Sequence, residues 1–454
     1  MFYYKWNKII IFCLLFILIV VTSITLNIIL PQRLAVAIRE EDWEMFLQQK
    51  DFIQAVNKVE QQWKKDYENY FNENFDDFSI TAEEISETLE NLSQQTNTKS
   101  AVIWIFSRKE QIQLILITPS KKPEVYSVID VKEKKLIDTV QSLNIEIKNP
   151  RKRNTTSYLT SAQKLYEWMV KPLESKLETE KIDTIMFCLG KKIRTLPLAV
   201  LHDGEKFLIE KYAISVIPAF NLINTNYNQI KNAQILAMGA SKFKELQSLP
   251  AVPVEINQIT GLLWSGKAFM NQKFTVKNLQ TERQKEVYQI VHLATHAEFR
   301  PGRPEKSYIQ FWDGEKITLD EVDKLKLNQP PVELLVLSAC RTALGDEQAE
   351  LGFAGLTVKS GVKSALASLW IVSDIGTLAL MREFYQRLQT TLLKAEALRQ
   401  AQVIMLKGNI NINMDKLSGT GWTLQLPPEL AELGDQSFSH PYYWSAFTLI
   451  GNPW

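Results

Sequence analysis

Two short apolar runs give this chain its pattern. Leu334-Leu-Val-Leu337 leads into Ser338, Ala339 and Cys340, and residues 287–293 lead into Ala294, Thr295 and His296. Short apolar runs bounded by turn signals predict strands buried on both faces, the kind that parallel sheets contain. Open α/β sheets gather ligands and chemistry outside the C-terminal ends of such strands. The two runs therefore predict a thiol and an imidazole delivered to the same sheet edge.

Strands and helices alternate around them, which predicts an α/β body with a mostly parallel sheet. Strands are expected at 182–189, 235–238, 287–293, 332–337 and 364–369. Helices are expected at 254–263, 319–325, 351–359, 374–388 and 394–406, with another beginning at Thr275 and with Asp374 as the N-cap of its helix. Residues 409–435 read as irregular, and the aromatic stretch 440–450 is expected to close over the sheet. Upstream, 101–106 and 112–118 predict an antiparallel hairpin, 125–131 a third strand and 155–177 an amphipathic helix. Residues 39–92 carry a helical period, and Thr81-Ala-Glu-Glu84 has the form of a capping box before Ile85, Leu89 and Leu92.

Residues 9–30 break this pattern, because they carry no charge and are apolar on every face. A helix of about 20 such residues crosses a hydrocarbon core. Ala35-Val36-Ala37 would suit a signal-peptide cleavage site, but a signal core is usually ~7–15 residues, so the length favours an uncleaved anchor. Lys5 and Lys8 give the N-terminal flank a slight basic excess. The expectation is a single-pass membrane protein with a marginal preference for an extracytoplasmic body.

Charge changes the picture mainly by exclusion. With 52 basic and 51 acidic residues there is no basic stripe to argue for nucleic acid. The three cysteines, Cys13, Cys188 and Cys340, are too few and too scattered for a disulfide scaffold or a zinc site. Cys188 lies among Ile185, Met186, Phe187 and Leu189 and reads as structural. No phosphate-binding glycine pattern follows a strand, which argues against a nucleotide enzyme.

Taken singly, Cys340 reads as a buried thiol and His296 as a satisfied core histidine. Their position at the ends of two expected strands favours chemistry. A thiol is nucleophilic as thiolate, and a nearby imidazole lowers its pKa and carries its proton. The histidine comes first and the cysteine second, 296 then 340. Caspase-type peptidases have the same order at a spacing of about 50 residues.

Seven collinear stretches carry a family resemblance. They are Leu196-Pro-Leu-Ala-Val-Leu-His-Asp-Gly204, Leu249-Pro-Ala-Val-Pro-Val-Glu255, Val291-His-Leu-Ala-Thr-His-Ala-Glu-Phe299, Leu334-Leu-Val-Leu-Ser-Ala-Cys-Arg-Thr-Ala-Leu-Gly345, Ala367-Ser-Leu-Trp370, Lys394-Ala-Glu-Ala-Leu-Arg-Gln-Ala-Gln402 and His440-Pro-Tyr-Tyr-Trp-Ser-Ala-Phe447. From about Ile182 to Trp454 the chain resembles a CHAT domain, a caspase-like peptidase domain related to separase. The likeness reaches back to Ala101 if the domain starts there. It implies a three-layer α/β/α sandwich with His296 as general base, Cys340 as nucleophile, no cofactor and no metal. The expected organisation is an anchor at 1–38, a helical stalk or packing region at 39–98 and a CHAT domain at 99–454. That domain divides into an N-terminal subregion at 99–233 and a catalytic part at 234–454.

Three positions qualify that expectation. The family usually has Gly after the histidine, and here it is Ala297. The resemblance implies that the Ala297 and Cys340 amides bind the oxyanion, and Ala keeps the N–H but not freedom at positive φ. Arg341 stands where an acid is common after the cysteine; it either supports the thiolate or points to solvent. Asp374 lies where caspase-like peptidases build the S1 pocket and would favour a basic P1 residue. It serves equally as a plain helix cap. The expected function is a membrane-anchored cysteine endopeptidase acting on protein or peptide substrates, with a possible regulatory protein partner and no nucleic acid. The alternative is a catalytically inactive scaffold or regulatory module that acts by binding partners.

Overall fold

The computed structural model describes residues 45–75, 80–432 and 434–454. The expected span at 9–30 lies outside them. No helix among the described residues is long and apolar enough to cross a membrane. The chain divides into two compact units between Val59 and Glu60, within helix α1 (Phe52–Phe71). The described part of the first unit is helical.

In the second unit α2 (Ala82–Thr96) starts at the expected capping box: the Thr81 hydroxyl accepts from the Glu84 amide, and the Thr81 amide donates to the Glu84 carboxylate. The hairpin of β1 (Ser100–Ser107) and β2 (Gln111–Ile117) follows, then β3 (Glu124–Ile129), paired antiparallel in that order. After α3 (Glu133–Lys148), the expected helix at 155–177 is two helices, α4 (Leu159–Met169) and α5 (Lys171–Thr179). Pro172, in the first turn of α5, has no N–H to continue the ladder of α4. Two buried strands follow, β4 (Thr184–Leu189) and β5 (Ala213–Ile217), and Cys188 lies fully buried in β4.

The rest of the chain holds the expected strands and helices with some boundaries moved, except that 319–325 is a 3-10 helix, and it adds three strands that the pattern did not predict, at Gly266–Met270, Tyr308–Gln310 and Lys316–Thr318. In order they are β6 (Ile235–Gly239), α6 (Val252–Gln258), β7 (Gly266–Met270), α7 (Val276–Lys285), β8 (Ile290–Phe299), β9 (Tyr308–Gln310), β10 (Lys316–Thr318) and β11 (Leu334–Thr342). Then come α8 (Glu347–Ala354), α9 (Leu356–Ser360), β12 (Ser364–Ser368), α10 (Asp374–Leu388) and α11 (Lys394–Leu406). Residues 409–435 are not irregular. With Gln436–Ser437 they build a small antiparallel sheet of β13 (Asn411–Asn413), β14 (Lys416–Gly419), β15 (Trp422–Gln425) and β16 (Gln436–Ser437), strands too short to print a period on the sequence.

The main sheet is mixed, with parallel and antiparallel ladders. Its order is β10-β9-β8-β11-β12-β17-β5-β4-β1-β2-β3, where β17 is Phe447–Gly451, and β6 and β7 lie off β8. The inner ladders β8–β11, β11–β12, β5–β4 and β4–β1 are parallel. At the β10–β9 and β1–β2–β3 ends the strands pair antiparallel, as short connections require, whereas β7 pairs parallel to β6. Helices cover both faces: Tyr385 of α10 and Glu255 of α6 reach His292 on one, and Phe353 of α8 meets Phe299 on the other.

The aromatic stretch 440–450 does not lie over the sheet but enters it. β17 fits between β12 and β5, antiparallel to the first and parallel to the second. The Gln402 side-chain amide donates to the carbonyls of Trp444 and Phe447 at 2.8 and 3.0 Å, fixing the entry to the strand. Truncating a fully buried side chain here removes packing that neighbours cannot refill. Leu449→Ala is expected to cost about 2–5 kcal/mol and lower the urea midpoint. An unchanged midpoint would mean that β17 is not a core strand.

Candidate active site

His296 and Cys340 do not sit beyond the ends of their strands, as expected, but inside them. β11 pairs with β12 only from Leu335 to Leu337, and past that point its ladder is with β8 alone. β8 leaves β6 at Ala294 and takes up β9 at Ala297 and Glu298. Both residues therefore lie on a ribbon that rises past the end of the main sheet. The ribbon begins at an irregularity: Leu337 faces Leu293, but Ala339 faces His296, so β8 carries one extra residue. Such bulges re-aim side chains. The β6 backbone comes close here, and a Cβ on Gly239 would stand 2.6 Å from the Ala294 carbonyl oxygen.

The register decides which side chains meet. In a parallel pair, register partners share a face and successive residues alternate. His296 is beside Ala339, and Cys340 is beside Ala297. Burial alternates in step: Ala297, Phe299, Cys340 and Thr342 are buried, whereas His296, Glu298, Ala339 and Arg341 are not. The ribbon thus presents the imidazole on one face and the thiol on the other. Arg341 shares the face of His296, away from the thiol.

Each group has a partner of its own. The Cys340 thiol is fully buried, donates to the Leu337 carbonyl at 3.4 Å, and is pushed up to about 12 by burial. The Cys340 amide donates to the Ser368 hydroxyl at 3.2 Å, and that hydroxyl donates back to the Cys340 carbonyl at 3.1 Å. Ala297 lies in extended strand between Cys340 and Ile309, so its backbone asks nothing that only glycine supplies. The His296 ring donates from Nε2 to the Gln247 carbonyl at 2.8 Å, which leaves Nδ1 as its basic nitrogen. The Phe243 ring stands edge-on to the imidazole, 4.7 Å between centroids.

Asp374 is not the N-cap. Ser373 caps α10, accepting from the Gly376 amide at 3.2 Å. The Asp374 carboxylate accepts from the Ala251 amide at 2.5 Å. Burial, with Glu255 nearby, holds its pKa up at about 7. Residues 241–251 therefore form a strap that engages His296 through Phe243 and Gln247 and Asp374 through Ala251. The stretch 249–255 was visible as a motif, but its task was not. Glu255 comes within 2.8 Å of His292 Nε2, and Tyr385 within 3.1 Å of Nδ1. His292 is thereby a fully buried structural residue. Ser368, inside Ala367-Ser-Leu-Trp370, is the residue that the sequence reading missed outright. Its hydroxyl is recognisable only once β12 lies beside Cys340.

Asp346, Glu347 and Glu350 make the stretch after Cys340 acidic, and two of these acids have structural partners. Asp346 caps α8 through the amides of Gln348 and Ala349, and Glu350 is buried, accepts from the Thr195 hydroxyl, and is pushed up to about 7. Among the described residues, no group of three or more His, Cys, Asp or Glu side chains is placed to hold a metal ion.

This architecture is that of known proteins. Separase of Saccharomyces cerevisiae, solved in complex with securin at 3.0 Å resolution, superposes with a TM-score of 0.50 at 11% identity, over 89% of this chain and 34% of that one. The chain thus spans about a third of the separase chain. The complex of Porphyromonas gingivalis RgpB pro- and mature domains gives 0.38 at 11% identity, over 71% of this chain and 76% of that one. At 11% identity the likeness to separase is one of fold. No curated protein sequence matches. The CHAT domain family model matches residues 159–452, and the chain belongs to that family.

Two measurements check this geometry. With the thiol buried and its pKa high, Cys340 is expected to stay unalkylated by iodoacetamide in native protein between pH 7 and 9 and to react fully in urea, as read by peptide mass spectrometry. Rapid native labelling would contradict the buried orientation. The Asp374 carboxyl is raised in the folded state, so between about pH 4 and pH 7 the folded chain holds a proton that the unfolded chain has lost. Its contribution is greatest at low pH and falls as pH rises through 7. Asp374→Asn keeps an acceptor for the Ala251 amide without the charge. Its melting temperature should rise relative to wild type between pH 5 and pH 8; a constant difference would refute the raised pKa.

Proposed function

We propose that this protein is a CHAT-type cysteine endopeptidase held in a latent arrangement. The observation that carries the reading is the placement of His296 and Cys340 on adjacent parallel strands, one register step apart. In the working form the Cys340 thiolate attacks the scissile carbonyl. His296 takes the thiol proton at Nδ1 and passes it to the leaving amine, and the amides of Ala297 and Cys340 hold the oxyanion. Asp374, released from Ala251, would pair with a basic P1 side chain. The uncharged run 9–30 would tether the domain to a membrane.

Latency follows from what must change. The thiol has to leave the buried face, the Cys340 amide has to leave Ser368, and the strap has to leave His296 and Asp374. A protein partner that binds the opened form better would drive this. Separase was solved with a protein partner, securin. One observation favours the alternative of an inactive scaffold: the thiol is fully buried on the face opposite the imidazole.

Phe243→Ala removes the ring against His296 and is expected to raise hydrolysis of fluorogenic peptides carrying Lys or Arg at P1 by roughly tenfold, the equivalent of ~1.4 kcal/mol. Cys340→Ala in the same background should abolish that hydrolysis. Hydrolysis that survives Cys340→Ala would remove Cys340 as nucleophile. If neither wild type nor Phe243→Ala cleaves any peptide of a randomised library, the scaffold reading stands.

A further inference from the structure

Beyond the ends of β8, β11 and β12 lies a cleft of 710 Å³. Its walls are the residues that follow each strand's buried part: Glu298 and Arg300, Arg341 and Thr342, Trp370 and Ile371, with Lys148 from the C-terminal end of α3. The charges are unevenly matched. Arg300 binds the Glu298 carboxylate through its guanidinium. Lys148 and Arg341 face the same space, and among the described residues neither has a carboxylate partner. Lys148 is half-buried, and burial together with the Arg341 charge pulls its pKa down. Two like charges sharing one partly desolvated cleft are an unfavourable pair that an anion between them would relieve.

We propose that this cleft is a subsite for an acidic side chain of a peptide, held between Lys148 and Arg341. Several features select that occupant. Arg300 and Glu298 cancel, leaving two cations, enough for one carboxylate with its two oxygens. The fixed acid Glu298 on the same wall works against a polyanion such as nucleic acid. Trp370 and Ile371, the latter 51% exposed, give the peptide's neighbouring side chains apolar surface. Arg341 directly follows Cys340 and lies on the face of His296, so the bound acid belongs within a few residues of the bond that the proposed dyad would cut. The substrate assignment rests on the peptidase reading; the binding does not. Arg341 thereby has a place that neither thiolate support nor idle exposure explains.

The test reads binding without turnover. Full-length Cys340→Ala protein is titrated against fluorescent peptides that differ only in Glu, Gln or Lys at one position, scanned along the sequence, with anisotropy as readout. At one position the Glu peptide should bind about tenfold more tightly than the Gln peptide, the worth of a charge-assisted hydrogen-bonded pair. Arg341→Glu and, separately, Lys148→Gln should remove that preference at unchanged melting temperature. Arg341→Glu should turn it toward the Lys peptide. The proposal fails if Glu and Gln peptides bind alike at every position, or if the preference survives both substitutions. It also fails if a single-stranded oligonucleotide competes more strongly than the Glu peptide at equal salt. A Glu preference in a protein that cleaves nothing would overturn the peptidase reading and leave the subsite standing.

Discussion

The register between β8 and β11 is the constraint on which the site depends. A strand has a side-chain period of two, so where one face is buried the pairing is strongly specified. Past the irregularity at this pair, the buried face takes Ala297 and Phe299 from one strand and Cys340 and Thr342 from the other. Packing, not chemistry, therefore decides where the thiol points. No modest rotation of the Cys340 side chain carries it through the ribbon to the face of His296. Moving it requires β11 to slip by one residue or to leave the ladder beyond Leu337. The ladder makes the second route the easier one, since past Leu337 β12 no longer pairs with β11.

The remaining contacts are individually small. A hydrogen bond contributes ~0.5–1.5 kcal/mol net, so those of Gln247, Ala251 and Ser368 together hold the arrangement by only a few kcal/mol. A protein partner of micromolar affinity brings about 8 kcal/mol of binding free energy. If most of that affinity is specific to an opened form, it is enough to shift the balance. The strap is suited to such control because it holds two distant side chains at once. Its release would free the imidazole of His296 and the carboxylate of Asp374 in one movement. Beneath it, Glu255 and Tyr385 hold His292, so the floor of the site stays fixed while the cover moves.

Much of this was legible in the residues, and the limits have physical causes. The strands carrying His296 and Cys340, the capping box at Thr81, the hairpin at 101–118 and the helix ending at Leu388 follow from period and capping chemistry, which are local. The continuation of β8 and β11 past their apolar cores was not legible. Residues 294–298 and 338–342 are small or polar, and only pairing with a neighbour makes them strand. For the same reason a partner such as Ser368 cannot be read from one chain segment: its hydroxyl matters through a residue 28 positions away. The expectation for 440–450 was correct about apolarity and wrong about destination, because an aromatic segment that covers a sheet and one that enters it look alike in composition. Asp374 was one residue off as a cap, within the ordinary uncertainty of helix ends.

The position of β17 has a consequence for the order of assembly. The sheet has two halves, β10 to β12 and β5 to β3, and β17 is the ladder between them. In the chain it comes after every other strand of that sheet. During synthesis both halves, including the ribbon with its thiol and imidazole, are made before the strand that joins them. Until then β12 and β5 each present an open edge, and open edges invite pairing with other chains. The protein must therefore pass through a stage in which the half that carries His296 and Cys340 exists without its closure. A burial that hides the thiol from the outset would protect both the chain and its neighbours during that interval.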